Sequence, residues 1–353
     1  MRALVRMFAL AGVVVSLLLP AVAQAAPCPT PSWRLTLTGV DARLRGLSAV
    51  DDEVAWASGS KGTVLRTVDG GRTWRQVAPP NTGALDFRDI QAFDEDRAVV
   101  LSIGPGASSG IYRTEDGGAH WSQTFGNTDP NAFYDCIAFF DTRRGLALSD
   151  PVDGKFRLVS TVDGGRSWRP VPTEGMPAAL PGEGAFAASG QCLSTAGGHD
   201  AWIGTGGGAT ARVLHSADGG RHWEASATPL PSSQSSGVFA VAFRDARHGL
   251  AIGGDFANPG SPTPALAVSA DRGRTWQGTP QAPRGYRSGV AWSGRRSVVA
   301  VGPTGSDLST DGGAHWTQFD SGSFDTVSCT EDGDCWAAGE KGRVARLIEP
   351  DRD

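Results

Sequence analysis

Short apolar runs rich in small and β-branched residues recur along the chain, and most of them end in glycine. The clearest pair is WASGSKGTVLR at residues 56–66 and WAAGEKGRVAR at residues 336–346, near the two ends. Weaker copies begin at Gly145, Trp202, Gly249 and Val298. Such runs are typical of a strand that precedes a tight turn. No helical apolar period appears beyond the N-terminus, so the pattern predicts an all-β protein.

An eight-residue repeat, Ser/Thr-x-Asp-x-Gly-x-x-Trp, alternates with these runs and is here called the octamer. It occurs six times, at residues 67–74, 114–121, 161–168, 216–223, 269–276 and 309–316. Successive copies start 40 to 55 residues apart. A repeat of this period indicates a closed array of small sheets, each sheet forming one blade of a propeller.

Each octamer predicts a hairpin corner. A short Asp side chain accepts hydrogen bonds from nearby backbone N–H groups, and glycine supplies the positive φ of a tight turn. The Trp brings a large apolar surface to the seam between sheets. We therefore expect a structural role rather than a catalytic one for the six octamer aspartates, Asp69, Asp116, Asp163, Asp218, Asp271 and Asp311.

The number of blades follows from the last apolar run, which begins at Trp336 and has no octamer after it. The missing outer strand is supplied by SWRLTL at residues 32–37, which is similar to the segments after each octamer. We therefore predict a seven-bladed β-propeller whose ring is closed by the N-terminal strand. Closure removes an exposed sheet edge.

Residues 1–25 have the features of a secretory signal peptide: Arg2 and Arg6, an apolar stretch, and a final Ala-Gln-Ala. We expect residues 26–353 to form a single propeller, exported to the periplasm or beyond the cell, monomeric and without a transmembrane segment. Removal of the signal peptide changes the formal net charge from −5 to −7. This acidity argues against nucleic acid as a partner.

The chain has five cysteines, and export permits disulfides. Cys329 and Cys335 flank a polar turn, which favours a hairpin disulfide. Cys136 and Cys192 hold equivalent places on neighbouring first strands, but the separation of the strands leaves their pairing open. Cys28 is left over. No spacing of Cys and His predicts a metal site, and no motif predicts a cofactor.

In a four-stranded blade the octamers lie on one face of the ring, and the loops entering each first strand lie on the other. Polar residues are dense in those entering loops and in the loops between second and third strands. We predict a binding site there, built from Arg88, Tyr134, Asp135, Asp150, Lys155, Glu183, Arg284 and Arg287. The alternative is that these groups pair with one another to neutralise a polar channel.

The octamers resemble the Asp-box (BNR) repeat of β-propellers. FYDCIAFFD at 133–141, SDPVDGKF at 149–156, GEGAFAASG at 182–190, and the pair Arg284/Arg287 resemble the photosystem II stability/assembly-factor-like propellers. That resemblance implies a non-catalytic scaffold of the cell envelope that binds a protein or small ligand through an arginine-bearing face.

Two other functions stay open. The octamers also resemble those of sialidases, which implies a glycosidase with Tyr134 and Glu183 as its catalytic groups, although the Arg-Ile-Pro motif of that family is absent. A propeller that binds carbohydrate without hydrolysing it is the third hypothesis.

Overall fold

Residues 30–348, the part of the chain that a computed structural model describes, form seven four-stranded antiparallel sheets. The first strands of neighbouring sheets contact one another in a closed circle. The predicted seven-bladed propeller is therefore confirmed. The predicted signal peptide, residues 1–25, and Cys28 lie outside the described residues.

The chain enters the ring through β1 (Ser32–Thr36) and then builds the blades in order. Blades 1 and 2 contain β2 (Leu44–Ala49), β3 (Val54–Gly59), β4 (Thr63–Val68), β5 (Arg75–Gln76), β6 (Asp86–Ala92), β7 (Ala98–Ile103), β8 (Gly110–Thr114) and β9 (Ser122–Gly126). Blades 3 and 4 contain β10 (Tyr134–Phe139), β11 (Gly145–Val152), β12 (Lys155–Thr161), β13 (Arg169–Pro170), β14 (Leu193–Ala196), β15 (Asp200–Gly204), β16 (Arg212–Ser216) and β17 (Glu224–Ala227).

Blades 5 and 6 contain β18 (Ser236–Phe243), β19 (Gly249–Asp255), β20 (Leu266–Ser269), β21 (Gln277–Gly278), β22 (Gly289–Trp292), β23 (Val298–Gly302), β24 (Gly305–Ser309) and β25 (Thr317–Asp320). Blade 7 contains β26 (Thr326–Cys329), β27 (Cys335–Ala338) and β28 (Val344–Ile348). Two single-turn 3₁₀ helices, Gly106–Ser108 and Glu340–Gly342, interrupt the loops. Within residues 30–348 no helix has the length and apolar character needed to cross a membrane.

The N-terminal strand completes blade 7, as predicted. β1 pairs antiparallel with β28, with Trp33 opposite Leu347, and this places Trp33 in the same sheet as Trp336. The Trp33 indole N–H donates to Ser306 Oγ of blade 6 at 2.9 Å. The first strand of the chain therefore also ties blade 7 to its neighbour.

Each octamer joins the third and fourth strands of its blade through the same hydrogen bonds. In the first copy, Asp69 Oδ1 accepts from the Thr67 hydroxyl and from the Thr73 amide, both at 2.9 Å. The Thr67 hydroxyl accepts from the Gly71 amide at 3.0 Å, and Gly70 and Gly71 have φ of 68° and 78°. The hydrogen bonds from Thr73 lower the pKa of Asp69 to about 2. We call this side of the ring the octamer face and the opposite side the entry face.

The Trp residues of the octamers pack across the seams between blades. Trp121 of blade 2 meets Trp56 of blade 1 edge-on, with ring centroids 6.4 Å apart, and Trp74 of blade 1 meets Trp336 of blade 7 at 5.9 Å. Trp56 and Trp336 are fully buried on the second strands of their blades. Edge-to-face aromatic pairs contribute about 0.5–1.5 kcal/mol beyond the area they bury, so these contacts help to lock each blade to the one before it.

Two disulfides link residues of the described chain. Cys329 and Cys335, paired directly across β26 and β27, form the predicted hairpin disulfide. Cys136 and Cys192 are also bonded, which settles the pairing that the sequence left open. This second bond is here called the inter-blade disulfide, because it joins blade 3 to the segment that enters blade 4.

Candidate functional site

Four of the seven first strands contain a β-bulge near the entry face. The residues left out of the pairing register are Arg45 in β2, Arg88 in β6, Asp135 in β10 and Phe239 in β18. A bulge bends its strand and redirects the side chain of the extra residue. Three of these four side chains, those of Arg45, Arg88 and Phe239, line one cavity.

That cavity, the channel-mouth pocket, lies on the entry face and has a volume of about 340 Å³. It has an arginine side, a single carboxylate and an aromatic side. The arginine side consists of Arg43, Arg45 and Arg88, and the carboxylate is that of Asp325. The aromatic side consists of Phe186, Phe239, Phe256 and Tyr286. The size falls at the lower end of the range of about 300–1,000 Å³ for small-molecule sites.

The three guanidinium groups of the arginine side are paired unequally, and Arg43 also lies 3.4 Å from Glu340. Arg43 makes a bidentate pair with Asp325, at 2.9 and 2.6 Å, and Arg88 Nε donates to Asp86 at 2.8 Å. Arg45 has no such partner: its Nε is buried without a hydrogen bond and lies 3.9 Å from Asp325. Burial and the two neighbouring guanidinium groups lower the pKa of Arg45. An anion entering the pocket would therefore meet a mostly buried guanidinium whose Nε has no hydrogen-bond partner.

The aromatic side is a cluster of four rings. Phe186 stacks on Phe239 with centroids 3.9 Å apart and planes 12° from parallel, and Tyr286 meets Phe239 edge-on at 4.8 Å. Phe256 closes the cluster and is 50% exposed. An exposed phenylalanine beside an arginine group is a suitable contact for an apolar side chain of a partner.

The floor of the pocket is a segment that crosses the channel, residues 182–191, here called the plug segment. Its Ala187 carbonyl accepts from Arg88 of blade 2 at 2.9 Å. Ser189 donates to the Ser288 carbonyl of blade 6, and Gln191 donates to the Val327 carbonyl of blade 7 at 2.9 Å. The plug segment also lines the cavity at the other end of the channel, so it forms the floor of both.

Two neighbouring carboxyl groups, those of Asp150 and Asp135, lie near the plug segment, and Asp150 is hydrogen-bonded to it. Asp150 Oδ1 accepts from the Ala185 amide at 2.8 Å, and burial raises the pKa of Asp150 to about 6. Asp135 is buried, and its Oδ2 has no hydrogen-bond partner. Burial, and the nearby Asp150, raise the pKa of Asp135 well above its ordinary value. Asp150 therefore supports the segment that carries Phe186. Within residues 30–348 no group of three or more His, Cys, Asp or Glu side chains is arranged to hold a metal.

The structure places two of the predicted site residues in buried ion pairs. The Glu183 side chain is fully buried and accepts from Arg212, from the Thr205 hydroxyl at 2.7 Å and from the Leu180 amide at 2.7 Å. Arg287 is 1% exposed and donates to Asp307 at 2.7 and 2.6 Å. Both side chains are therefore paired with partners inside the protein, and neither lines the channel-mouth pocket.

Three other predicted residues lie apart from the pocket lining. Tyr134 is buried, with its ring 5.0 Å from that of Phe125, and burial raises the pKa of its phenol to about 12. Lys155 donates to the Thr173 carbonyl at 2.8 Å, and Arg284 is exposed. In the described chain no hydrogen bond joins Tyr134 to Glu183, the pair named for a glycosidase. A binding role for these residues stays a prediction.

Of the eight predicted residues, only Arg88 lines the channel-mouth pocket, and Asp150 is hydrogen-bonded to the plug segment that forms its floor. The pocket also contains Arg43, Arg45 and the aromatic cluster, which were not predicted as a group. The one sequence signal for them was the density of charged and aromatic residues just before each first strand. The β-bulges decide which of those side chains point into the pocket, and the positions of the bulges cannot be predicted from a single sequence.

No protein-family model matches the chain, and no curated protein matches it. Solved structures do. One described as YCF48 bound to D1 peptide is 16% identical and has a TM-score of 0.63 over 90% of this chain and 95% of its own. YCF48 from Cyanidioschyzon merolae is 18% identical, with a TM-score of 0.63 over 89% and 98% of the two chains. The WD40 β-propeller domain of Doa1 is 13% identical, with a TM-score of 0.59 over 90% and 97%. At these identities the likeness shows a shared seven-bladed propeller fold.

Proposed function

We propose that this protein is a non-catalytic binding module that holds a segment of a partner protein at the channel-mouth pocket. The observation that carries the proposal is the pairing of a mostly buried arginine, Arg45, whose Nε has no hydrogen-bond partner, with an aromatic wall whose Phe256 is 50% exposed, in one concave site. Such a site fits a peptide that presents a carboxylate next to an apolar side chain.

The structural neighbours support a protein partner. One of them is described as bound to a peptide, and another is a WD40 domain. We further propose that the protein is exported and acts in the cell envelope, on the strength of the signal-peptide pattern in residues 1–25. The octamers act in this proposal as Asp boxes with a structural role.

In this proposal the arginine side and the aromatic side of the pocket bind different parts of the peptide. Arg45 and Arg88 would bind the carboxylate, because charge-assisted hydrogen bonds from guanidinium groups to carboxylates are short and directional. Phe256 and Phe186 would cover the apolar side chain and exclude water from the ion pair, which strengthens it. Specificity would come from the spacing of the two groups along the peptide.

A peptide array tests the proposal. Three proteins are applied to the same array of acidic–aromatic and neutral peptides. They are the full mature chain, the pocket variant Arg45→Gln/Arg88→Gln, and the control variant Arg75→Gln/Arg169→Gln. The control changes two exposed arginines on outer strands. Each lost charge-assisted hydrogen bond contributes about 1.5–3 kcal/mol, so we expect the pocket variant to bind at least about tenfold more weakly. Equal binding by the pocket variant and the wild type would show that the pocket is not the site.

A further inference from the structure

A second cavity lies on the octamer face, away from the channel-mouth pocket. It is a cleft of about 660 Å³ between blades 5 and 6, here called the blade 5–6 cleft. Its walls come from the turn at 244–248, the turn at 293–297 and the octamers of the two blades. Two smaller cavities, of about 500 and 400 Å³, share Arg244 and Trp292 with it. A groove therefore extends from the cleft toward the central channel.

One arginine in the cleft is held in a fixed position. The Arg244 guanidinium lies over the Trp292 ring, 5.1 Å from its centroid. Its Nε lies 3.3 Å from Asp245, and its Nη1 donates to the Arg295 carbonyl. Stacking and two hydrogen-bond partners reduce the entropy that Arg244 would lose on binding an anion.

The side chains of two further arginines at the cleft have no hydrogen-bond or ion-pair partner within residues 30–348. Arg295 and Arg296 are exposed, and in residues 30–348 neither side chain makes a hydrogen bond or an ion pair. The carboxylates of the cleft are, in contrast, occupied by their own turns. Asp271 accepts from the Thr275 amide and hydroxyl, and Asp311 accepts from the His315 amide and ring. The free hydrogen-bonding capacity of the cleft is therefore mostly that of arginine donors.

Charge on the octamer face is distributed unevenly. The turns 244–248 and 293–297, with the octamers 269–276 and 309–316, hold six arginines and three aspartates. The corresponding turns of blades 7 and 1, residues 330–334 and 51–53, hold six carboxylates and no arginine or lysine. On a chain of net charge −5, a basic cleft at one corner concentrates positive potential and attracts anions to that corner.

We propose that the blade 5–6 cleft binds a carboxylated oligosaccharide. The volume is within the range of about 300–1,000 Å³ for small-molecule sites. Arg244, Arg295 and Arg296 would bind the sugar carboxylates in bidentate fashion, and Thr275 and Gln277 offer side-chain groups to the sugar hydroxyls. The cleft offers guanidinium, hydroxyl and amide groups together, and this combination fits a sugar chain that carries both carboxylates and hydroxyls. This site is independent of the channel-mouth pocket and of the function proposed for it.

Calorimetric titration of the full mature chain with tri-galacturonate tests the proposal, with maltotriose as the neutral trisaccharide and hexaglutamate as the acidic peptide. The cleft variant is Arg295→Gln/Arg296→Gln, and the control is again Arg75→Gln/Arg169→Gln. We expect tri-galacturonate to bind the wild type and the control equally, and the cleft variant at least about tenfold more weakly, since guanidinium–carboxylate hydrogen bonds are each worth about 1.5–3 kcal/mol. Maltotriose should not bind.

Three results would overturn the proposal: no heat of binding at millimolar tri-galacturonate, equal affinity of the cleft variant and the wild type, or hexaglutamate binding as tightly as the sugar. The variant Arg45→Gln/Arg88→Gln separates the two sites. It should bind tri-galacturonate as the wild type does, and weaker binding would place the sugar at the channel mouth instead.

Discussion

Replacing Glu183 with Gln should destabilise the protein strongly. Glu183 is fully buried and is the only carboxylate that pairs with Arg212 among the described residues. Gln keeps the shape but removes the charge, and its amide N–H₂ would face donors where the carboxylate accepted. Removing one partner of a buried ion pair costs about 3–5 kcal/mol, because the other charge stays buried without compensation. For a chain of this size such a loss lowers Tm by about 5–10 °C.

Urea denaturation followed by tryptophan fluorescence, together with a thermal scan, measures this effect. The matched control is Glu174→Gln, an exposed glutamate of the same inter-blade connection, which should change the free energy of unfolding by less than about 0.5 kcal/mol. The double variant Glu183→Gln/Arg212→Gln should recover part of the loss, since no lone charge remains buried. If Glu183→Gln unfolds like the wild type and instead loses binding or sialoside turnover, the structural account of Glu183 is wrong.

Other variants probe the plug segment and the disulfides. Burial raises the pKa of Asp150 to about 6 from 3.8, so the folded state keeps a proton that the unfolded state releases, and the stability that this group contributes should be lost as pH rises from about 4 to about 6. Asp150→Asn should reduce the fall in stability over this range in urea titrations at each pH, and the buried Asp89 and Asp135, whose pKa values are also raised, account for the remainder. Gly206→Ala would place a Cβ 2.6 Å from the Phe186 ring and 2.7 Å from a backbone carbon, so we expect the free energy of unfolding to fall by about 1–3 kcal/mol. The control Gly278→Ala, at an open site, should leave Tm unchanged. Serine substitution of the cysteines should lower the free energy of unfolding by about 4 kcal/mol for the inter-blade disulfide and about 2 kcal/mol for the hairpin disulfide, because their loops span 56 and 6 residues. Equal losses in denaturant titrations would contradict this reasoning from loop entropy.

The blade count was predictable because the signals for it are local. Each octamer makes its hydrogen bonds within eight residues, as Asp69 does with Thr67 and Thr73, so the same residues recur wherever the same turn is built. The closing strand was predictable for the same reason: residues 32–37 are similar to the segments that follow the octamers. Repetition makes each local pattern visible several times over.

The site was predicted only in part, because it depends on contacts between distant parts of the chain. Arg45 and Phe239 reach the pocket through bulges, and a bulge is a property of the register between two strands. Glu183 and Arg212 are 29 residues apart in sequence, and no local sequence pattern around either residue predicts that they form an ion pair. The path of the plug segment across the channel is set by hydrogen bonds to blades 2, 6 and 7, which no local pattern encodes.

Site-specific photo-crosslinking in the cell that makes the protein tests the central claim most directly. A photoreactive amino acid replaces Phe256, which is 50% exposed at the channel-mouth pocket, or Val162, which is 69% exposed on the octamer face. The account predicts a crosslink to a protein from position 256, lost when Arg45→Gln/Arg88→Gln is added, and no matching crosslink from position 162. A position-256 crosslink that persists in the arginine variant, or no protein crosslink there at all, would contradict it.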